Sequence, residues 1–235
     1  MIWFDYKSAD DFHVVVERYP DIILPSRKSE KIAITGRNGD LLIQQDAFEN
    51  VQQRYDIYIS AEAPRVTTIA HKVAEWLCVK GYRRLEDSYW LDTFRMASFT
   101  GGIEIANILN RFGRATIEFD CKPQRFYKFG DQFITLTNGQ ILHNPSPFTA
   151  KPLLVVQGSG EGTISDGTHI LTLSNCANKT IDCDVMQIYQ QIGSTILNMN
   201  RVGSGAFPEL AEGDTRIFWS GGITGIKLKP RWWTI

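Results

Sequence analysis

Three dipeptides constrain this chain more than any other feature. Asn38-Gly39, Asn138-Gly139 and Asp166-Gly167 each join a residue that tolerates positive φ to one with no side chain to oppose it. They stand inside TGRNGDLLI, TLTNGQIL and TISDGTHIL, where apolar or β-branched residues flank a polar centre. A tight turn of this kind closes two antiparallel strands, so the spacing predicts three β-hairpins. The segments DIYIS, ATIEFDCK, QFITL and HILTL carry the same strand signature. With 19 glycines and 9 prolines available for short connections, the chain reads as mainly β.

One helix interrupts that pattern. After Pro64, Val66, Ile69, Ala70, Val73 and Leu77 recur at helical spacing with Trp76 beside the stripe, and Gly81 offers a left-handed stop. This predicts an amphipathic helix over about residues 64–80, packed on a sheet, with His71 and Lys72 on its solvated side.

Charge divides the chain. Up to Arg125 there are 17 basic and 18 acidic residues; from Phe126 onward there are 8 and 8. The expectation is two β-sandwiches with different surfaces, residues 1–128 carrying the helix and residues 129–235 forming the second. A net charge of −1 does not suit a nucleic-acid or membrane-surface binder. MIWFDYKSADD lacks the basic and apolar regions of a signal peptide, and no apolar run approaches the ~20 residues that span a bilayer. The chain is expected to be made in a cytosol and to leave it only as part of something larger.

Sites of chemistry are sparse. His13, His71, His143 and His169 are scattered without metal-ligand spacing, and neither a GxSxG elbow nor a Walker loop occurs. GSGEGT, residues 158–163, follows LLVVQ and leads into TISDG, so it connects strands rather than opening a helix onto a phosphate. Cys78, Cys121, Cys176 and Cys183 form no CxxC pair and read as reduced thiols, Cys121 pointing into a core. Asp182 and Asp184 flank Cys183, and in an extended segment both would project from one face, where they could hold Ca²⁺ or supply an acid. One strand cannot place two carboxylates on opposite sides of a scissile bond. The expectation is two solvated acids with Ile181, Cys183 and Val185 inward. Asp10-Asp11 and Glu86-Asp87 are adjacent pairs that point apart or lie in turns. No catalytic residue, metal or cofactor is expected.

The chain ends in PRWWTI. Trp232 and Trp233 could form a sugar-stacking platform or pin a terminal strand. In a strand running through Arg231 the two indoles would face opposite ways, so they are expected to anchor the C-terminus, one buried between sheets and the other facing outward or lying against the first domain.

Longer stretches resemble a known family. YKSADDFHVVVERYPDIILPSRKSEKIAITGRNGDLLI is similar to the opening of the distal tail protein (Dit) family of long-tailed siphophages, with its strand, extended segment and GRxG-L hairpin. PFTAKPLLVVQGSGEGTISDGTHILTLSN, TIDCDVMQIYQ and GAFPELAEGDTRIFWSGGITGIKLKPRWWTI then follow that family's order almost to the end of the chain. The resemblance implies a non-enzymatic virion component at the distal tip of a phage tail. Its N-terminal sandwich would form a six-membered ring and its C-terminal galectin-like sandwich would lie at the periphery. Such a ring meets the tail tube on one side and the tail-tip or tail-associated lysin protein on the other. In some phages it also carries receptor-binding proteins.

Within that frame Arg37, Asn38, Gly39 and Asp40 are candidate ring contacts, Arg37 being able to pair with a neighbouring carboxylate. YRRLEDSYWLDTFRM, with Tyr82, Tyr89, Trp90 and Phe94, has more aromatics than a surface loop needs and reads as a second hairpin arm or, for some of these rings, as core. The alternative is a sandwich that binds host cell-wall glycans, although the chain has no room for an inserted carbohydrate-binding module.

Overall fold

The computed structural model describes residues 1–59, 66–108 and 112–235, without the side chains of 107 and 108. Among the described residues the protein is mainly β, with one α-helix and two main sheets. It divides into a first unit, Met1–Arg125 with Ile235, and a second, Phe126–Thr234.

In the first unit the chain opens with β1 (Ile2–Phe4), β2 (Lys7–Ser8) and β3 (Val14–Val16). Next come β4 (Arg27–Ile32), β5 (Leu41–Phe48) and β6 (Val51–Ile59). The helix α1 (Val66–Leu77) precedes β7 (Arg83–Asp87), β8 (Thr93–Phe99), β9 (Ala106–Ile108) and β10 (Phe112–Tyr127). The main sheet has the order β2-β1-β7-β8-β10-β6-β3, and β9 also pairs with β10. Alternation explains its buried face. Val51, Gln53, Tyr55, Ile57 and Ile59 of β6 point inward, opposite Ile117, Phe119 and Cys121 of β10, with Tyr55 paired to Ile117 and Val51 to Cys121.

The helix covers that face with Val66, Ile69, Val73, Trp76 and Leu77. Trp76 belongs fully to the buried set: its ring stacks on Phe12 at 4.8 Å, and its indole N–H donates to the Phe4 carbonyl at 3.0 Å. Both the apolar body and the single polar atom of the indole are thereby satisfied. Pro64, expected at the first turn, lies outside the described residues. The helix ends earlier than 80, where the Val79 N–H turns back to the Leu77 carbonyl at 2.8 Å. Gly81, at φ 75°, belongs to the following turn rather than to the helix end.

The second unit contains β11 (Ile134–Leu136), β12 (Gln140–Asn144), β13 (Leu153–Ser165), β14 (Ile170–Leu173) and β15 (Lys179–Asp182). β16 (Gln187–Ile192), β17 (Thr195–Asn198), β18 (Gly203–Gly205), β19 (Gly213–Lys229) and β20 (Trp233–Thr234) complete it. The order β11-β19-β13-β15-β16-β17 forms the main sheet, with β12 also on β19, β14 on β13 and β18 on β14. The long strands β13 and β19 run antiparallel, but their register shifts at Gln157/Gly158 and again between Gly158 and Gly162. Such a shift changes which face a strand presents. Ile217 and Ile223 point into the core at odd positions, Ile226 and Leu228 at even ones, so both ends of β19 feed one apolar cluster.

The glycines make this crossing possible. A Cβ on Gly222 would stand 1.6 Å from the Ser159 carbonyl oxygen, and one on Gly158 would stand 2.2 Å from that of Gly222. GSGEGT is therefore the bulged middle of one strand rather than a link between two.

The three predicted hairpins differ in outcome. Asn38-Gly39 does lie between paired strands, but the loop runs over 33–40 and includes a second positive φ at Gly36, 81°. Asp166-Gly167 closes the β13–β14 hairpin through the loop 166–169. There the Asp166 carboxylate accepts N–H bonds from Thr168 at 2.8 Å and His169 at 2.6 Å, which fixes the longer turn. Asn138-Gly139 makes no hairpin. β11 and β12 run in the same direction along β19, and Asn138 kinks the path by exchanging hydrogen bonds with the Trp219 backbone at 2.8 and 3.0 Å.

Candidate assembly surface

β4 and β5 form a two-stranded sheet separate from the main one. Four register pairs, from Ser29–Gln44 to Ile32–Leu41, hold it together, and every residue from 26 to 46 is exposed. Among the described residues, it is tied down at its base. The Glu49 N–H donates to the Ser26 carbonyl at 2.9 Å, and the Arg27 guanidinium lies over the Phe48 ring at 5.0 Å while donating to Asp46 at 3.1 Å. Beyond it Ile32, Ile34, Leu41, Leu42 and Ile43 are all exposed, Leu42 to 48%. Leu41, Leu42 and Ile43 are consecutive, so apolar side chains stand on both faces of the arm. An isolated two-stranded hairpin is marginal in water, and a large contiguous apolar surface marks an interaction site.

Arg37, Asn38, Gly39 and Asp40 sit in the exposed loop of this arm, Gly39 at φ 79°. The Arg37 N–H donates to the Ile34 carbonyl at 3.2 Å, which closes the turn. Reading the turn alone missed the apolar flanks. The signal was the absence of alternation in Leu41-Leu42-Ile43, a pattern that fits a strand covered on both faces.

YRRLEDSYWLDTFRM is no second arm. Its two strands, β7 and β8, pair within the main sheet, Leu85 opposite Arg95. Phe94 is buried beneath the Arg84 guanidinium at 3.8 Å, and the Tyr82 hydroxyl donates to Asp120 at 2.7 Å. The second unit carries a smaller exposed hairpin, β16–β17, with Ile192, Ile196 and Leu197 outward.

The acidic candidates have structural partners. β15 stops at Asp182, and the Asp184 N–H folds back onto its carboxylate at 3.1 Å, so the two acids share no extended face. Asp182 is paired with Arg231 rather than solvated, and Val185 is exposed rather than inward. Asp11 accepts from the Ser8 N–H at the start of a short 3-10 turn, and Glu86 pairs with Arg84. Asp87 accepts from the Tyr55 hydroxyl and from the Tyr89 and Trp90 N–H groups, each at 2.9 Å. All four cysteines are free thiols; burial pushes Cys121 up to about 12 and raises Cys183 further, so neither is a nucleophile. Among the described residues no cluster of three His, Cys, Asp or Glu could hold a metal ion, and no helix is long and apolar enough to cross a membrane.

The terminal tryptophans do not sit on one continuous strand. β19 ends at Lys229, and Arg231 adopts φ 58°, which breaks the extended line after Pro230. Both indoles are partly buried and pack on the second core, instead of one inward and one outward. Trp233 stacks on Phe148 at 4.4 Å and donates its indole N–H to the Thr149 carbonyl at 3.1 Å. Trp232 lies against Phe129 at 5.5 Å, and its carbonyl accepts from the Tyr127 N–H at 2.9 Å.

No protein-family model and no curated protein matches the chain. Solved structures do. The Dit protein of phage SPP1, described as a paradigm of the hub adsorption apparatus in phages infecting Gram-positive bacteria, superposes with a TM-score of 0.69 at 11% identity over 97% of both chains. A chain of the phage p2 baseplate in its activated conformation, determined with strontium and with calcium, superposes with a TM-score of 0.56 at 10% identity. That match covers 92% of this chain and 89% of the other. The fold is thus the two-unit β fold of Dit.

Proposed function

We propose that the protein is a structural hub at the distal end of a long, non-contractile phage tail. Subunits close into a six-membered ring through the first unit, joining the tail tube to the tail-tip or tail-associated lysin protein, with receptor-binding proteins as further partners. The role is architectural rather than enzymatic, and the place is the virion tail tip. The fold match supports this, and one observation of the chain itself carries it: the β4–β5 arm exposes Ile34, Leu41, Leu42 and Ile43, which none of the described residues covers. Both signs of charge flank that apolar strip, in Arg27, Lys28, Glu30, Lys31, Asp40 and Asp46, as a head-to-tail ring contact requires. Arg37, Asn38, Gly39 and Asp40 at the tip are the proposed polar contacts, and Trp232 and Trp233 the anchor of the second, galectin-like unit.

The test is assembly. Purified protein at rising concentration, alone and with the tail-tip protein, is expected to give rings of six by light scattering and negative-stain microscopy. Leu42→Lys with Ile34→Asp should abolish rings while leaving the thermal transition within about 0.5 kcal/mol, because exposed positions away from packing contribute little to stability. A chain that stays monomeric under every condition would sink the hub reading. Saturable binding of cell-wall polysaccharide by such a monomer would replace it with the carbohydrate-binding one.

A further inference from the structure

The second sheet ends at β17: β16 pairs with one side of it, and among the described residues no strand pairs with the other. A free strand edge offers backbone donors and acceptors to any strand that arrives, and proteins usually guard it with charge or proline. The other exposed hairpin does so, with Arg27, Lys28, Glu30 and Lys31 in β4. From Val185 to Asn200, by contrast, there is no Asp, Glu, Lys, Arg, His or Pro. Every residue of β17 is exposed, Ile196 to 65% and Leu197 to 39%.

Register decides what this edge presents. The Met199 N–H donates to the Ile188 carbonyl at 2.7 Å, so by alternation Leu197 and Thr195 also turn their backbone groups towards β16. The N–H and C=O of Ile196 and Asn198 then point to the open side. An antiparallel copy of the same segment, centred on Leu197, sets Ile196 of each copy against Asn198 of the other and pairs all of these groups. On the side-chain level, Ile192 and Leu197 share the face on which Ile188 and Met199 pack into the second core. Leu197 therefore carries the apolar face of that core out to the edge.

A charged partner finds nothing to pair with here, whereas an identical surface meets no like-charge opposition across a two-fold axis. In the register above, Leu197 of one copy faces Leu197 of the other at a non-hydrogen-bonded position, where opposed side chains come closest. We propose that β17 is a two-fold pairing edge for a second copy of this chain, the two sheets joining antiparallel about Leu197. The contact uses no residue of the β4–β5 arm, so it stands whether or not the first units close into a ring.

Cysteine cross-linking tests it. In a Cys78→Ser background, where the remaining thiols are buried, Leu197→Cys should oxidise to a covalent dimer, because directly opposed Cα atoms lie within the ~4.4–6.8 Å that a disulfide spans. Ile196→Cys, at the more exposed position, should give little dimer, since its two copies would stand diagonally at about 7–8 Å. The same contrast should hold when Leu42→Lys and Ile34→Asp are added to prevent rings, so failure of the ring and failure of this edge are read apart. In that ring-free background Leu197→Lys should abolish the concentration-dependent doubling of mass in sedimentation while keeping the melting temperature. Equal cross-linking at 196 and 197, no dimer from Leu197→Cys, or undiminished doubling with Leu197→Lys each overturns the proposal. Cross-linking of Leu197→Cys only to another tail protein replaces it with strand addition by that partner.

Discussion

Arg231 grips Asp182 with both terminal nitrogens, Nη1 to Oδ1 at 2.6 Å and Nη2 to Oδ2 at 3.0 Å. The pair is largely shielded, with side-chain exposures of 25% and 16%. It also holds Arg231 in the left-handed conformation that leads the chain from β19 into the two tryptophans. Burial opposes the Arg231 charge, but the Asp182 hydrogen bonds overcome it and raise its pKa. Asp182→Ala leaves that guanidinium unpaired and should cost about 1–3 kcal/mol, read by urea denaturation. Arg231→Gly, which removes the charge and the backbone strain together, should cost less. Equal losses in the two variants would show that the pair does not set the turn.

Trp233 combines a stacked face on Phe148 with a hydrogen bond to Thr149, so truncation removes packing and leaves a carbonyl unpaired. Trp233→Ala should destabilise by about 3 kcal/mol, and deletion of residues 232–235 by more. Calorimetry checks this. Loss of a ligand with no change in melting would return the pair to the role of a binding platform.

His169 and Asp166 give a pH dependence with a defined sign. The Asp166 hydrogen bond, Nδ1 to Oδ2 at 2.8 Å, holds the imidazole above its ordinary value. Burial works against the Asp166 charge, but N–H donors from Glu209, His169 and Thr168 outweigh it and keep the carboxyl below its ordinary value. The His169 contribution is therefore full below about pH 6.5 and is lost as pH rises through the raised value. The Asp166 contribution is present above about pH 4 and is lost as pH falls through the lowered value. NMR titration should place His169 above 6.5, and Asp166→Asn should bring it back towards that value. An unmoved His169 would refute the coupling.

Gly222 and Gly225 lie on the same strand but in different surroundings. A Cβ at Gly222 meets the Ser159 carbonyl, whereas at Gly225 the nearest atom is the Gln157 side-chain oxygen at 3.8 Å. Gly222→Ala should prevent the β13–β19 crossing and cost about 3 kcal/mol or more, while Gly225→Ala should stay within about 1 kcal/mol. Thermal melts of the two variants decide it.

The sequence alone determined what is local. Alternation in ATIEFDCK placed Ile117 and Cys121 in a core, and the Val66-to-Leu77 stripe identified the helix, because those periods follow from backbone geometry. Only the tertiary structure decided what depends on partners distant in sequence. Asn138-Gly139 has the chemistry of a hairpin turn, yet it bonds to Trp219 and kinks a single path. Asp182 looks like a surface acid until Arg231, 49 residues later, closes on it. GSGEGT looks like a linker until Gly222 packs against it, and the turn at Arg37 to Asp40 proves to have exposed apolar flanks. A turn or strand propensity is settled within a few residues, whereas burial, register and charge pairing are settled by whichever segment arrives across the sheet.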